Sequence, residues 1–183
     1  MKRLTGVVAV LLIAVTGCDS TGGEVDPGPG ARPPQLVSPG DNPTESQLPA
    51  KRPGQPWVHG TYVICLDRPG TVKVTDVRFE SGNLDVTDWA IRPNPAAEGR
   101  LLAGDVPGRF ASQNIKSTGT TLTRVCDSQG ANTYEVVLQL RAGKTTTQGT
   151  NIEVLYTSGG REQTLTLPDR VVMCMRPERP NCA

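Results

Sequence analysis

The side chains that could carry chemistry in this chain are few, because its 183 residues include only one histidine and five cysteines. The histidine, His59, could act as a general base only beside a nucleophile and an orienting acid. The Gly-x-Ser-x-Gly motif that positions the nucleophile of many hydrolases does not occur in the chain. The sequence therefore predicts no catalytic residue and no enzyme, and it offers no cofactor-binding motif.

Cys18 follows a segment that is typical of secretory signal peptides. Two cationic residues precede an apolar run at residues 7–15 (VVAVLLIAV), which is shorter than the roughly 20 residues that cross a bilayer. Residues 15–18 (VTGC) resemble the bacterial lipobox, whose cysteine receives a diacylglyceryl group on its thiol and becomes the new N-terminus. We therefore expect cleavage of residues 1–17 and lipidation of Cys18. The alternative is an ordinary cleaved signal peptide that happens to precede a cysteine.

A lipidated Cys18 would place the protein on the extracytoplasmic face of a bacterial cell membrane. Two acyl chains hold a protein stably at a bilayer, whereas one chain holds it only marginally. Loss of residues 1–17 would change the formal net charge from +1 to −1. This near-neutral balance argues against a nucleic-acid partner, which requires a basic face. The expected partners are the membrane, through the lipid anchor, and an envelope protein or glycan.

The segment after Cys18 differs in composition from the rest of the chain. Asp19–Pro56 contains nine prolines and six glycines in 38 residues, with no aromatic residue and few aliphatic ones. Such a segment buries too little apolar surface to offset the entropy that is lost on ordering. We therefore predict that residues 18–56 form a lipidated, disordered linker, which would reach about 115 Å if fully extended.

Residues 57–183 contain all seven aromatic residues and are long enough to form one domain with a core. Apolar and polar residues alternate in Thr133–Arg141, Asn151–Thr157 and Gln163–Leu167, which is the periodicity of half-buried β-strands. Residues 158–160 (SGG) predict a tight hairpin turn. The domain is therefore predicted to be all-β. Its simplest form is an immunoglobulin-like β-sandwich of seven to eight strands, and a closed barrel is the alternative.

Two segments, residues 72–79 and 84–91, share the pattern apolar-x-Val-Thr-Asp-apolar-x-apolar. In both segments the apolar positions change parity at Thr-Asp, and a β-bulge produces such a change within a strand. Residues 80–83 (ESGN) have the composition of a turn. We interpret the two segments as bulged strands that pair with each other in a hairpin.

Three runs within this domain carry a resemblance to a known group of proteins: YVICLDRPGTVKVTDV, VTDWAIRPNP and EVLYTSGGREQTLTLPDRVVMC. They resemble a group of uncharacterised actinobacterial lipoproteins with an immunoglobulin-like β domain. The similarity covers roughly residues 57–176. The resemblance implies a fold and a compartment, and it supplies no activity.

The four cysteines beyond Cys18 predict disulfide bonds, because their number is even and the chain is expected to be exported. Cys174 and Cys182 are close in sequence, which favours a local bond between them together with a Cys65–Cys126 bond. Pairing of Cys65 with Cys174 and of Cys126 with Cys182 is the main alternative. A zinc site would need reduced thiolates, usually at shorter spacings such as Cys-x-x-Cys.

The main alternative function is a metal-handling exported domain, and a hydrolase is a further alternative. Acidic residues of the predicted hairpin could converge on a calcium ion: Asp76, Glu80, Asp85 and Asp88. Met173 and Met175 flank Cys174 and could supply thioether ligands to copper. We expect solvated acids and core methionines at these positions, and no paired carboxylates of the glycosidase type stand out. We therefore predict no metal-ligating residue.

The stretch Arg92–Asn114 contains three prolines and lacks clear alternation. Long connections of this kind are often functional, and loops on a rigid scaffold commonly carry recognition. It contains four polar residues that could contact a partner: Arg92, Asn94, Arg100 and Arg109. The alternative is a covering loop or irregular edge strand that packs through Leu101, Val106 and Phe110. The sequence therefore predicts a membrane-anchored extracytoplasmic lipoprotein that serves as a binding or structural module of the envelope.

Overall fold

The computed structural model describes residues 32–40, 44–98, 102–116, 119–128, 130 and 132–175. Within these residues the chain forms ten strands: β1 (Leu36–Val37), β2 (Thr44–Pro49), β3 (Pro56–Leu66), β4 (Val72–Gly82), β5 (Asp85–Pro93), β6 (Asp105–Pro107), β7 (Thr121–Leu122), β8 (Tyr134–Arg141), β9 (Thr147–Ser158) and β10 (Arg161–Cys174). Two short 3₁₀ helices occupy Pro95–Glu98 and Phe110–Gln113. The described part of the chain contains no helix that is long and apolar enough to cross a membrane.

The strands form two sheets that pack face to face, so the prediction of an all-β sandwich is confirmed. The first sheet has the order β1-β3-β8-β5, with β6 added along β3, and the second has the order β2-β10-β9-β4-β7. The named strands pair antiparallel except β2, which runs parallel to β10. The strand count exceeds the predicted seven to eight because three of the strands contain only two or three residues.

The core lies between the two sheets and is built by the predicted alternation. In β9, the inward residues Ile152, Val154 and Tyr156 are buried, while their neighbours in the strand are partly exposed. The turn between β9 and β10 consists of Gly159 and Gly160, both with positive φ (54° and 74°), which is the conformation that a two-residue hairpin requires. The predicted hairpin at residues 158–160 is therefore confirmed.

Both Val-Thr-Asp segments contain the predicted bulge. The pairing register shifts at Thr75 in β4 and at Thr87 in β5. Each threonine hydroxyl donates to a carbonyl of the neighbouring strand, at 3.2 and 3.1 Å, respectively. The following aspartates, Asp76 and Asp88, each accept the next backbone N–H at 2.9 Å. The repeated motif is thus a bulge in which both polar side chains satisfy the interrupted backbone.

The predicted pairing between these two bulged strands is wrong. β4 pairs with β9 and β7 in the second sheet, whereas β5 pairs with β8 in the first. The chain crosses between the sheets after Gly82, where Asn83 and Leu84 both donate their N–H groups to Gln148 O, at 2.8 and 3.1 Å. The buried Leu84 side chain fills this corner of the core. A turn signal in the sequence marks a reversal of the chain, and it does not specify which sheet receives the next strand.

The boundary predicted at Trp57 is also wrong, because residues 32–40 and 44–56 belong to the sandwich. In this N-terminal strap (residues 32–40 and 44–56), β1 pairs with β3 of the first sheet and β2 pairs with β10 of the second. Leu36, Leu48 and Ala50 are buried in the common core. The strap contains few apolar residues, but three of them fill sites between the two sheets, so a disordered linker up to Pro56 was the wrong expectation.

The Cys65–Cys126 bond, one of the two bonds in the pairing favoured from the sequence, is present. Cys65 and Cys126 form a disulfide bond with a Cα–Cα distance of 5.1 Å, which excludes a Cys65–Cys174 bond. Cys174 is also disulfide-bonded. Cys18 and Cys182 lie outside the described residues.

Truncation tests the strap directly. A protein that begins at Arg32 should melt like the mature chain, whereas one that begins at Trp57 should lose a cooperative melting transition. Removal of three buried side chains from the core forfeits roughly 5 kcal/mol of burial, which is comparable to the whole stability of a small domain. Circular dichroism melting curves of the two truncated proteins make the comparison, and similar transitions in both would contradict the strap.

Candidate functional site

His59, for which the sequence predicts no catalytic role, is buried in the sandwich. Its exposed fraction is 1%. β3 contains an irregularity between Gly60 and Tyr62, where one extra residue shifts the register against β8. Because of that shift, His59 and Tyr62 both point inward although they are three residues apart.

The His59 cluster (Thr44, His59, Tyr62, Asp105 and Asp169) is a hydrogen-bonded group that crosses the sandwich. His59 Nδ1 lies 2.5 Å from Asp105 Oδ1 on β6. On the other side of the imidazole, Nε2 contacts the Tyr62 hydroxyl and lies 3.3 Å from Asp169 Oδ2 on β10. Tyr62 donates its hydroxyl proton to Asp169, and Thr44 Oγ1 of β2 donates to Asp169 Oδ1 at 2.7 Å.

The hydrogen-bond partners of the two ring nitrogens favour a doubly protonated His59. Because the Tyr62 hydroxyl donates to Asp169, the oxygen of Tyr62 can only accept from Nε2, which then needs a proton. Burial lowers the pKa of His59, but the hydrogen bonds and charges of Asp105 and Asp169 raise it by more, and the result is above the ordinary value of 6.5. The cluster therefore holds an imidazolium between two carboxylates.

The remaining groups of the cluster respond to the same environment. Burial works to raise the pKa of Asp169, but hydrogen bonds from His59, Tyr62 and Thr44 outweigh it and hold that pKa below its ordinary value. Burial and the nearby Asp169 carboxylate raise the pKa of Tyr62, so its phenol stays protonated. Asp169 is thus a buried carboxylate that is stabilised by three donors.

The His59 cluster combines an acid, an imidazole and a hydroxyl, but the described residues leave it little contact with solvent. Asp105 is 37% exposed, whereas the side chains of His59 and Asp169 are 1% and 0% exposed. A cleft of about 90 Å³ lies beside Tyr62 and Thr44 of the cluster. A space of that size holds a few water molecules. The arrangement can store a proton and fix four strands relative to one another.

Two of the four predicted partner-contacting residues are instead used inside the protein. Arg92 Nε lies 2.6 Å from Glu135 Oε2, and that carboxylate is fully buried. Ala103 N donates to the other oxygen of Glu135 at 2.5 Å. Asn94 is buried and donates to Thr133 Oγ1 at 2.8 Å. Arg92 and Asn94 therefore anchor the long connection to β8, and Arg100 lies outside the described residues.

The long connection covers the outer face of the first sheet. Phe110 and Ile115 pack with three small outward residues of the sheet, Val58, Ala90 and Val137. The approach is close at Gly60, where an added Cβ would lie 3.1 Å from Ala103 Cβ. β6 runs along β3 in the same region. The alternative interpretation of this segment, a covering loop with an irregular edge strand, describes its contacts better than a freely exposed recognition loop does.

Arg109 is the exception, because it is exposed at the edge of an open cleft. This Arg109 cleft has a volume of about 450 Å³ and is lined by Gly54, Pro56, Thr87, Asp88, Arg109, Gln139, Leu140 and Arg141. Gln139 accepts the backbone N–H of Phe110 at 2.9 Å and donates to Thr87 Oγ1 at 3.3 Å. The base of the cleft is therefore fixed by hydrogen bonds between the loop and the sheet.

The four acidic residues that were considered as calcium ligands lie on two strands of different sheets. Among the described residues no group of three or more His, Cys, Asp or Glu side chains is placed to hold a metal ion. Asp76 and Asp88 lie in different sheets because β4 and β5 do not pair. Met173 is buried in the core, and Met175 packs against it.

No protein-family model matches the chain, and no curated protein matches it either. The resemblance to actinobacterial lipoproteins therefore remains a prediction. The sequence-based prediction did not include the His59 cluster. It did include Arg109.

Substitutions in the long connection should separate its two roles. Arg92→Ala leaves the buried Glu135 carboxylate without its counter-ion and should cost about 3 kcal/mol of stability. Arg109→Ala, its matched control in the same segment, should change stability by less than about 0.5 kcal/mol because its side chain is exposed. Urea unfolding of both variants provides the measurement, and equal losses would show that Arg92 does not anchor the loop.

The His59 cluster should make stability depend on pH in a defined direction. Because the folded-state pKa of His59 is raised, its contribution is fully present below about pH 6.5, the unfolded value, and is lost as pH rises through the folded-state pKa. Because the pKa of Asp169 is lowered, its contribution is present above about pH 3.9 and is lost as pH falls through the folded-state pKa.

NMR can follow this titration without ambiguity, since His59 is the only imidazole in the chain. Its pKa should exceed 6.5, and Asp105→Asn should lower it, because one of the two carboxylate partners is then neutral. Unfolding free energies measured over the same pH range should fall above pH 6.5 less steeply in Asp105→Asn than in the wild type. A wild-type imidazole that titrates below 6.5 would contradict the ionised cluster.

Proposed function

We propose that the protein is a lipid-anchored lipoprotein of the extracytoplasmic face of the cell membrane, in which the β-sandwich acts as a binding module of the envelope. The observation that carries the proposal is the N-terminal sequence, where an apolar run at residues 7–15 ends at a lipobox-like Cys18. The architecture supports it, because the strap joins the chain to both sheets from residue 36 onward. A disulfide bond in the same domain suits an oxidising compartment.

The strap changes the distance between membrane and domain that the composition alone suggests. Thirteen residues, 19–31, separate Cys18 from the first described residue, Arg32. A chain of that length spans at most about 45 Å, whereas a linker up to Pro56 would reach about 115 Å. The proposed lipoprotein therefore holds its sandwich close to the membrane surface, where its partners would be found.

We also propose that the sandwich is of the immunoglobulin type. The support is the spatial order of the strands in each sheet. The order in one sheet, β1-β3-β8-β5, corresponds to strands ABED of immunoglobulin domains. The order in the other, β4-β9-β10, corresponds to strands CFG. The disulfide bond differs from the usual one, because Cys126 lies outside the named strands and Cys65 lies on β3.

Substitution of Cys18 tests the anchor. Cys18→Ser should abolish incorporation of labelled fatty acid and shift the protein out of the membrane fraction, or leave an uncleaved precursor. Thr16→Ser, which keeps a small residue in the lipobox, serves as the matched control and should be processed normally. If Cys18→Ser is labelled and fractionated like the wild type, the lipoprotein proposal fails.

A further inference from the structure

The strap enters the sandwich at one end. Leu36 of β1 pairs with Leu66, the last residue of β3. Ser158, at the turn between β9 and β10, donates its hydroxyl proton to Pro34 O at 2.6 Å. The end of β3 and the turn after β9 therefore mark the pole that faces the proposed membrane anchor.

The Arg109 cleft lies at the opposite end. Two of its lining residues, Pro56 and Arg141, pair with each other where β3 begins and β8 ends. β3 runs for 11 residues between the two ends, which corresponds to roughly 33 Å. The cleft is thus at the pole farthest from the point where the strap enters.

We propose that the Arg109 cleft binds an acidic glycan and holds the carboxylate of a sugar acid between Arg109 and Arg141. The ligand class rests on the chemistry of the cleft. Only its orientation, facing away from the membrane, rests on the proposed lipidation of Cys18.

The two guanidinium groups are available for an anion. Arg109 has no ion-pair partner among the residues that the structure describes. Arg141 Nε lies 3.8 Å from Asp85 Oδ2, and both side chains are more than half exposed, so that pair is weak. A guanidinium offers two parallel N–H groups that match the two oxygens of a carboxylate.

Asp88 makes the cleft selective among anions. Its Oδ1 accepts the backbone N–H of Trp89 at 2.9 Å, and its carboxylate retains further acceptor capacity. A small anion of high charge density, such as phosphate, is repelled by the Asp88 carboxylate, and this repulsion disfavours it as a ligand. A sugar acid carries hydroxyl donors beside its carboxylate and can satisfy Asp88 and the arginines together.

Size and lining favour a glycan over a peptide. A volume of about 450 Å³ is within the range of small-ligand sites. The apolar lining residues are Pro56 and Leu140, and the side chain of Leu140 is fully buried in the core. A peptide would find few apolar pockets for anchoring side chains. The hydrogen bonds of Gln139 hold the base of the cleft in place, which reduces the ordering cost of binding.

Calorimetry on the full mature protein in detergent micelles tests the proposal with four probes. They are a disaccharide that contains glucuronic acid, the methyl ester of the same disaccharide, inorganic phosphate, and an acidic peptide. The acid should bind at least tenfold more tightly than the ester and the phosphate. The double substitution Arg109→Gln with Arg141→Gln should weaken binding of the acid at least tenfold.

A substitution at the opposite pole provides the control. Arg161→Gln, which also removes an exposed arginine, should leave the affinity unchanged, and melting curves of all variants should coincide. Equal binding of acid and ester, equal binding of phosphate, or full binding by the double variant would overturn the proposal. An acidic peptide that binds more tightly than the sugar acid would overturn the ligand class. Because lipidation is measured separately, a failed Cys18 test would leave this result intact.

Discussion

The buried imidazole of His59, hydrogen-bonded between two aspartates, is the interaction on which this side of the sandwich depends. His59 connects Asp105 on β6 with Asp169 on β10, and Thr44 of β2 completes the coordination of Asp169. A buried ion is tolerated only when all its partners are present, and removal of one partner leaves the others uncompensated. The edge strand β6, the strap and both sheets are therefore coupled in their folding through one imidazole.

Bulges bring several polar side chains into positions where they contact one another. In a sandwich of regular strands these side chains would face solvent. The irregularity in β3 brings His59 and Tyr62 to the same face, and a second one between Leu167 and Arg170 contains Asp169. The bulge in β5 presents Asp88 at the cleft. In each case an extra residue redirects a side chain without a change in the sheet order, which is a common use of bulges at functional positions.

The predictability of each feature from sequence depends on how local its cause is. Alternation in β9 and the parity change in the Val-Thr-Asp segments are local, and both were read correctly. His59 was missed because Asp105 and Asp169 lie 46 and 110 residues away. Its partner Tyr62 is three residues away, so in a regular strand the two side chains would point to opposite faces. Only the bulge brings them to the same face. The strap was missed because the prediction used the average composition of the whole segment. Two leucines suffice to hold the strap in place when the edges of the sheets already provide sites for them.

The strap also determines how the proposed anchor acts on the domain. Tension from a lipid on Cys18 would reach residue 32 and then pass into β1 and β2, which belong to different sheets. Because the two pairings lie on opposite layers of one core, neither sheet can separate from the strap without exposing Leu36 or Leu48. Thr44 adds a hydrogen bond from the strap to Asp169, so β2 is also connected to the His59 cluster. The segment that composition marks as a linker is thereby the part of the fold that would join the proposed anchor to the core.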